Sequence, residues 1–146
     1  MADFEKVVNY LQSIDSLKEV GLFLMGESAL NSNLCTYYKM LKDNSYFTFL
    51  TTNGTKIDTV LQAIPYVDSL KISWNYVDER DFIAKTNASP RIFEMIRQNI
   101  CTLYDAVHEN GKELAVSTVL DRPKEDYMPA LAALKYDQHY WIPLQT

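Results

Sequence analysis

Cysteine, glycine and clusters of basic residues are all scarce in this sequence of 146 residues. The two cysteines, Cys35 and Cys101, have a separation that fits neither a metal-binding knuckle nor a redox-active pair. We interpret both as buried free thiols. The 14 basic residues are outnumbered by 19 acidic ones, for a formal net charge of -5, and they are scattered along the chain. This distribution argues against a nucleic-acid-binding surface.

Long apolar runs are missing as well. No run approaches the roughly 20 residues that a membrane-spanning helix needs, so we expect no insertion into a membrane. The first ten residues, MADFEKVVNY, carry acids early and have no apolar signal core. We therefore expect a cytoplasmic protein. Because 47% of the residues are hydrophobic, we expect one domain over residues 1–146 with a substantial core.

Residues 21–34, GLFLMGESALNSNL, combine the signals for a strand, a turn and a helix start. The apolar run ends at Gly26, and Glu27 follows directly. Polar residues then precede a helical pattern. The segment thus predicts a buried strand with one carboxylate at its carboxyl end, which is where ligands bind in parallel α/β folds.

Apolar periodicity predicts an alternation of helices and strands along the whole chain. The predicted helices cover residues 3–14, 33–41, 56–64, 78–84, 90–110 and 123–134. The predicted strands cover residues 17–25, 46–50, 67–74, 114–120 and 140–144. Such alternation calls for parallel strands joined by right-handed crossovers.

If the strands pair in sequence order, all helices lie on one face and the sheet curls like part of a β/α barrel. Its inner face and its first edge would then lack cover. An open edge needs a partner, either a preceding segment of chain or a second copy. A doubly wound sheet with helices on both faces is the alternative.

Motifs at the predicted strand ends resemble those of the radical S-adenosylmethionine (radical SAM) superfamily. The similarity is greatest to the branch with an additional C-terminal cluster-binding (SPASM) domain. The matching segments are MGES at 25–28, where the family has GGEP, TTNGT at 51–55, VDSLKIS at 67–73 followed by Asn75, Asn99-Ile100, VSTVL at 116–120 and WIPLQ at 141–145. This resemblance implies a partial barrel that runs from the family's first helix to its sixth strand and lacks the first strand.

The resemblance also implies a [4Fe–4S] cluster in a parent enzyme. In the family, the first strand is followed by three cysteines spaced CxxxCxxC, and this sequence starts beyond that point. We therefore expect a fragment truncated at its N-terminus. Cys35 and Cys101 cannot replace the motif, because this ligation needs closely placed thiolates. No metal ligand and no catalytic residue is predicted within the chain.

Cofactor contacts follow from the same resemblance. Gly26 and Glu27 would meet the ammonium of S-adenosylmethionine, which seeks carbonyl or carboxylate acceptors. The remaining expected contacts are Asn53, Ser73, Asn75, Ser117 and Ile142. Ser117 is preferred to its neighbour Thr118, because only one of them can face the inside of the barrel.

Plainer interpretations exist for these residues. Glu27 would also serve as an acid at a helix start, and Asn53 with Gly54 would also form an ordinary turn. Ser73 and Asn75 would equally suit an ordinary strand end. The motif itself departs from the family at Met25, since a glycine there would allow closer approach to a ligand.

The main functional hypothesis is a fragment of a radical SAM enzyme. The parent would cleave S-adenosylmethionine reductively, and the resulting 5′-deoxyadenosyl radical would abstract a hydrogen atom from an unknown substrate, a peptide or a small molecule. The isolated chain should be inactive, because no electron reaches the sulfonium without the cluster. One alternative is a degenerate barrel domain that acts as a binding or partner module. Another is a different barrel enzyme that uses Glu27 as acid or base.

Overall fold

Helices and strands alternate along the chain, as a computed structural model shows for residues 2–23 and 26–144. The helices are α1 (Ala2–Gln12), α2 (Leu34–Asp43), α3 (Ile57–Ala63), α4 (Glu79–Thr86), α5 (Pro90–Glu109) and α6 (Lys124–Ala132). The strands are β1 (Glu19–Gly21), β2 (Phe47–Thr52), β3 (Ser69–Ser73), β4 (Leu114–Leu120) and β5 (Gln138–Pro143). Within the described ranges, no helix combines the length and the apolar character needed to cross a membrane.

The five strands form one parallel sheet in the order β1-β2-β3-β4-β5. This confirms the predicted pairing in sequence order. The doubly wound alternative is wrong, because that fold requires a strand order that reverses within the sheet. The sheet does not close on itself, so the fold is a partial β/α barrel.

The core lies between the sheet and the helices. Along β2 and β3 every second residue is buried on this side, including Leu50, Leu70 and Ile72. The largest fully buried side chains, Trp74 and Tyr38 among them, complete the same cluster. Strand alternation therefore fixes which residues face the helices and which face the opposite side.

The opposite side of the sheet is uncovered, and we call it the inner face. Residues in register share a face, so Thr51, Lys71 and Ala115 lie side by side on it. Phe47 and Tyr140 also face this side and are 46% and 49% exposed. The predicted uncovered inner face is thus present.

Two local predictions need correction. The first strand was expected over residues 17–25, but β1 ends at Gly21. The reason is that the Leu22 N–H donates to the Tyr38 hydroxyl at 3.2 Å and leaves the strand ladder. Leu24 and Met25, together with Gln145 of the last motif, lie outside the described residues. The two cysteines are free but half-buried rather than buried.

Candidate functional site

Glu27 begins a short 3₁₀ turn, Ser28–Leu30, in the connection between β1 and α2. Its Oε1 accepts a hydrogen bond from the Ala29 N–H at 3.1 Å, so the side chain caps this turn. Gly26, just before it, has a φ of 83°, and no other described residue outside its chain neighbours has an atom within 4 Å of where a Cβ would stand. Glu27 therefore does cap the start of a short helical turn, as the plainer interpretation predicts.

The same carboxylate also reaches across to the end of β2. Its Oε1 accepts a second hydrogen bond from the Thr52 hydroxyl at 2.7 Å. Its Oε2 accepts one from the Asn53 N–H, also at 2.7 Å. Two carboxylate oxygens can accept about four hydrogen bonds. Glu27 thus ties two strand ends together while Oε2 keeps capacity for one more donor.

The turn after β2 is organised by Asn53. Its Oδ1 accepts hydrogen bonds from the Thr55 N–H at 3.0 Å and the Thr55 hydroxyl at 2.7 Å. Gly54 follows with a φ of 78°. Its carbonyl oxygen accepts a hydrogen bond from Asn99 Nδ2 of α5 at 2.8 Å. The side-chain oxygen of Asn53 is therefore occupied by hydrogen bonds within the turn. Its side-chain amide nitrogen remains available to contact a ligand.

Asn99 is a positioning residue to which the sequence assigned no role. The motif comparison singled out the pair Asn99-Ile100, but gave no contact for it. The hydrogen bond to Gly54 spans 45 positions of sequence, so no local pattern could predict it. Its effect is to hold the loop that follows Thr52 against α5.

A cavity of about 220 Å³ opens where these strand ends meet. It is lined by Phe23, Gly26, Glu27, Thr51, Thr52, Asn53 and Ser73. Four of the seven predicted contacts therefore converge: Gly26, Glu27, Asn53 and Ser73. They come from the ends of three neighbouring strands, as expected when parallel strands end at the same edge of a sheet.

The other three predicted contacts do not line this cavity. Asn75 Oδ1 accepts a hydrogen bond from the Val119 N–H at 2.8 Å, which holds the segment after β3 against β4. Ile142 is in register with Val119 and is 40% exposed on the inner face. Both positions lie farther along the sheet, towards β5, and their contact with a cofactor stays a prediction.

Ser117 lies on the inner face, in register with Ser73 of the neighbouring strand. Thr118 faces the helices instead, where its hydroxyl donates to the Trp74 carbonyl oxygen at 2.7 Å. The preference for Ser117 over Thr118 as the inward residue therefore agrees with the geometry. Its role towards a ligand stays a prediction.

A charged cluster that the sequence did not indicate lies beside the end of β4. Asp121 accepts a hydrogen bond from the Tyr127 hydroxyl and pairs with Lys85 Nζ at 2.8 Å. Asp81 pairs with Arg122 at 2.9 Å. The hydrogen bond from Lys85, followed by that from Tyr127, lowers the pKa of Asp121 to about 2. The cluster fixes α4, α6 and the loop after β4 relative to one another.

The residues at this edge fit an ammonium ion better than a metal. Glu27 offers a fixed carboxylate, which is a charge-assisted acceptor for an ammonium. Across residues 2–23 and 26–144, no three His, Cys, Asp or Glu side chains are placed to hold a metal ion. Cys35 lies in α2 and Cys101 in α5, so their thiols do not provide a cluster site.

Comparison with known proteins identifies relatives by fold alone. No protein-family model matches the sequence. No curated protein matches it either. A structure of TYW1 with a lysine–pyruvate adduct bound superposes with a TM-score of 0.71 at 16% identity, over 99% of this chain and 50% of its own. Archaeal TYW1 superposes with a TM-score of 0.59 at 18% identity, over 90% and 48% of the two chains.

TYW1 is a radical SAM enzyme. The chain has a fold similar to that of these enzymes, an open parallel β/α sheet. It spans about half the length of the two structures. The predicted resemblance to radical SAM proteins is therefore confirmed at the level of the fold. Identities of 16% and 18% do not extend it to a reaction or a substrate.

Proposed function

We propose that this chain is part of a radical SAM enzyme and that the cavity beside Glu27 binds S-adenosylmethionine. The observation that carries the proposal is the carboxylate of Glu27, which three hydrogen bonds fix at the carboxyl edge of a radical SAM-type sheet. When bound together with a [4Fe–4S] cluster, S-adenosylmethionine supplies the chemistry: reductive cleavage to a 5′-deoxyadenosyl radical that abstracts a hydrogen atom from a substrate.

Glu27 Oε2 would accept a hydrogen bond from the methionyl ammonium. Because its three existing hydrogen bonds already orient the carboxylate, binding costs little side-chain entropy. Gly26 has no side chain to block the same group from its backbone. Ser73, which also lines the cavity, would offer a hydroxyl to the methionyl carboxylate or the ribose.

The pocket would extend along the sheet towards β5. Ser117 continues the polar row from Ser73 on the inner face. Asn75 would add an amide, and Ile142 would add apolar surface for adenine. This extension rests on the motifs, as does placement in the SPASM branch.

The proposal assigns the cluster ligands to the whole enzyme rather than to the two cysteines of this chain. The chain by itself would then bind S-adenosylmethionine without cleaving it. Anaerobic reconstitution with iron and sulfide, followed by measurement of 5′-deoxyadenosine, tests this point. Release of 5′-deoxyadenosine from the chain alone would contradict it.

Calorimetric titration tests the role of Glu27. S-adenosylmethionine and 5′-methylthioadenosine share the adenosine part, but the second lacks the sulfonium charge as well as the methionyl ammonium and carboxylate. We expect the wild-type chain to prefer S-adenosylmethionine by about tenfold, or ~1.4 kcal/mol. Glu27→Gln should remove most of this preference without changing the affinity for 5′-methylthioadenosine. Glu125→Gln, which removes the same charge from an exposed position on α6, is the matched control.

Two results would count against the proposal. Equal affinity of the wild-type chain for both nucleosides would show that the proposed contact between Glu27 and the ammonium does not contribute to binding. No binding of either nucleoside at millimolar concentration would favour the alternative, a barrel domain that binds a partner. The thermal unfolding of Glu27→Gln must be measured alongside the titrations, because the substitution also alters the hydrogen bonds to Thr52 and Asn53 at the end of β2.

A further inference from the structure

The segment that follows β3 is held in place by both oxygen atoms of Asn75. The side-chain Oδ1 accepts a hydrogen bond from the Val119 N–H at 2.8 Å, just beyond the last register pair of β3 and β4. The backbone carbonyl oxygen accepts a hydrogen bond from Lys85 Nζ of α4 at 2.9 Å. Asn75 is thus tied to a strand through its side chain and to a helix through its backbone.

Lys85 is the centre of the contacts around this segment. Besides the Asn75 carbonyl oxygen, its Nζ contacts Asp121 Oδ2 at 2.8 Å and Asp81 Oδ2 at 3.2 Å. Asp81 Oδ2 also accepts a hydrogen bond from the Val77 N–H at 3.1 Å, two residues beyond Asn75. A lysine ammonium has three donors, and these three acceptors use all of them. Any effect of Lys85 on a ligand must therefore pass through the residues that it holds.

The charges around Lys85 are also balanced. The two carboxylates, Asp81 and Asp121, face two cations, Lys85 and Arg122. The Lys85 side chain is only 28% exposed, and its ammonium lies 6.0 Å from the centre of the Tyr127 ring. A balanced and largely shielded cluster does not attract an anion through its net charge. The cluster therefore fixes the segment after β3 rather than binding a ligand itself.

The fixed orientation restricts what Asn75 offers to a ligand. Its side-chain oxygen is occupied by the Val119 N–H, so the remaining polar atom of the side chain is the amide nitrogen, which only donates. Asn75 is half-buried and lies two positions after Ser73, which lines the cavity beside Glu27. A ligand group that meets Asn75 must therefore be an acceptor, such as a hydroxyl or a carboxylate oxygen.

We propose that Lys85 is a positioning residue for the cofactor: it fixes Asn75 so that the side-chain nitrogen of Asn75 donates a hydrogen bond to a hydroxyl or carboxylate oxygen of S-adenosylmethionine. The inference rests on the proposed function, since S-adenosylmethionine is the ligand assigned there. Without the Lys85 ammonium, the Asn75 carbonyl oxygen loses its partner and the two carboxylates share one cation, Arg122. The segment would then loosen, and the amide would no longer be held towards the ligand.

A double-mutant cycle followed by calorimetric titration with S-adenosylmethionine tests the route of this effect. Asn75→Ala should weaken binding about fivefold, as the loss of one hydrogen bond does. Lys85→Met should cause a loss of similar size, although Lys85 does not contact the ligand. The double variant should bind no more weakly than Asn75→Ala alone, because both substitutions remove the same contact. Lys85→Gln, which removes only the charge and keeps amide donors, replaces Lys85→Met if that variant does not fold.

Lys42→Met is the matched control. Lys42 Nζ pairs with Asp68 at 2.8 Å, and its side chain is 36% exposed, so this ion pair resembles that of Lys85. Asp68 directly precedes β3, whereas Asn75 follows it, and the control pair therefore lies at the opposite edge of the sheet. Lys42→Met should lower the thermal stability to a similar extent and leave the affinity for S-adenosylmethionine unchanged.

Hydrogen exchange of the Val119 N–H, followed by NMR without any nucleoside, reports on the position of Asn75 by itself. This N–H is protected by the Asn75 side chain. In Asn75→Ala and in Lys85→Met it should exchange about tenfold faster than in the wild-type chain, because its hydrogen bond is lost or opens more often. In Lys42→Met it should exchange as in the wild-type chain.

Three results would overturn the proposal. Wild-type exchange of the Val119 N–H in Lys85→Met would show that Lys85 does not hold Asn75. Additive losses of affinity in the double variant would show that Lys85 acts on the ligand by another route. Equal losses in Lys42→Met and Lys85→Met would assign both to stability.

Failure of the proposed function gives a different pattern. The wild-type chain would then not bind S-adenosylmethionine, while the exchange of the Val119 N–H would still respond to Lys85→Met. That pattern would overturn the contact between Asn75 and the cofactor and support only the hold of Lys85 on Asn75. Conversely, binding that is tight in the wild-type chain and unchanged in Lys85→Met would overturn the role of Lys85 and leave the proposed function standing.

Discussion

The hydroxyl of Thr52 connects two strand ends. Its Oγ1 donates to Glu27 Oε1 at 2.7 Å and accepts from the Gly54 N–H at 3.2 Å, and the residue is 2% exposed. Thr52→Val keeps the shape but leaves both partners with one hydrogen bond fewer. We expect the free energy of unfolding in urea to fall by about 1–3 kcal/mol.

Thr51→Val provides the matched control for this substitution. Thr51 is the preceding residue on β2, but it is half-buried on the inner face, where no described residue forms a hydrogen bond with its hydroxyl. Its substitution should change the stability by no more than about 0.5 kcal/mol. Similar losses at both positions would show that the contact with Glu27 adds nothing to stability.

The convergence of Glu27, Asn53 and Ser73 was predictable from the sequence, because each lies at or just after the carboxyl end of a predicted parallel strand. The partners of their side chains were not. Asn53 and Asn75 were expected to face a ligand. Instead, the side-chain oxygen of each accepts a hydrogen bond from a backbone N–H of this chain. The N–H that meets Asn75 belongs to Val119, 44 positions away, and no local pattern encodes that pairing.

At the level of elements, Asp121 anchors the loop after β4 to Lys85 of α4 and Tyr127 of α6. Its pKa is lowered from the ordinary value of 3.8 to about 2. Because the ionised form is favoured in the folded state, the contribution of Asp121 to stability is complete above pH ~4 and is lost as the pH falls towards ~2. Thermal unfolding at a series of pH values should show this loss in the wild-type chain.

Asp121→Asn should weaken the dependence on pH in that window and lower the stability at neutral pH. Asp126→Asn is a suitable control, since Asp126 is exposed near the start of α6. The control should unfold with the pH dependence of the wild-type chain. If Asp121→Asn did so too, the ion pair with Lys85 would not contribute to stability.

Most of the elements could be predicted because apolar spacing and strand alternation are local signals. The sheet order followed from the alternation of helices with strands. The length of β1 did not follow, because the apolar residues beyond Gly21 looked like more strand. Leu22 instead packs against the core while its N–H bonds to Tyr38. The strand therefore ends because of the contact with Tyr38, 16 positions away, which the composition of the segment does not indicate.

At the scale of the whole molecule, β1 forms one edge of the sheet, and no strand in the described part of the chain pairs with its outer side. The Phe47 N–H donates to the Lys18 carbonyl oxygen at 2.9 Å. In a parallel pair, this places the Val20 N–H towards β2 and points the backbone groups of Glu19 and Gly21 away from it. An edge of this kind can add a strand from another chain.

Association through this edge is therefore expected for the purified chain, and it would leave the inner face free. Glu19→Pro removes the outward N–H without breaking the pairing with β2, and proline is tolerated at the start of an edge strand. In a symmetric dimer, Glu19→Pro removes this hydrogen bond from both copies, so the free energy of association should weaken by about 2 kcal/mol. Sedimentation equilibrium should then show roughly 30-fold weaker association. Glu19→Ala keeps the N–H and removes only the carboxylate, so it should associate at least as strongly as the wild-type chain. If both variants associated alike, the contact would depend on the side chain or on another surface, and strand addition at β1 would be excluded as its cause.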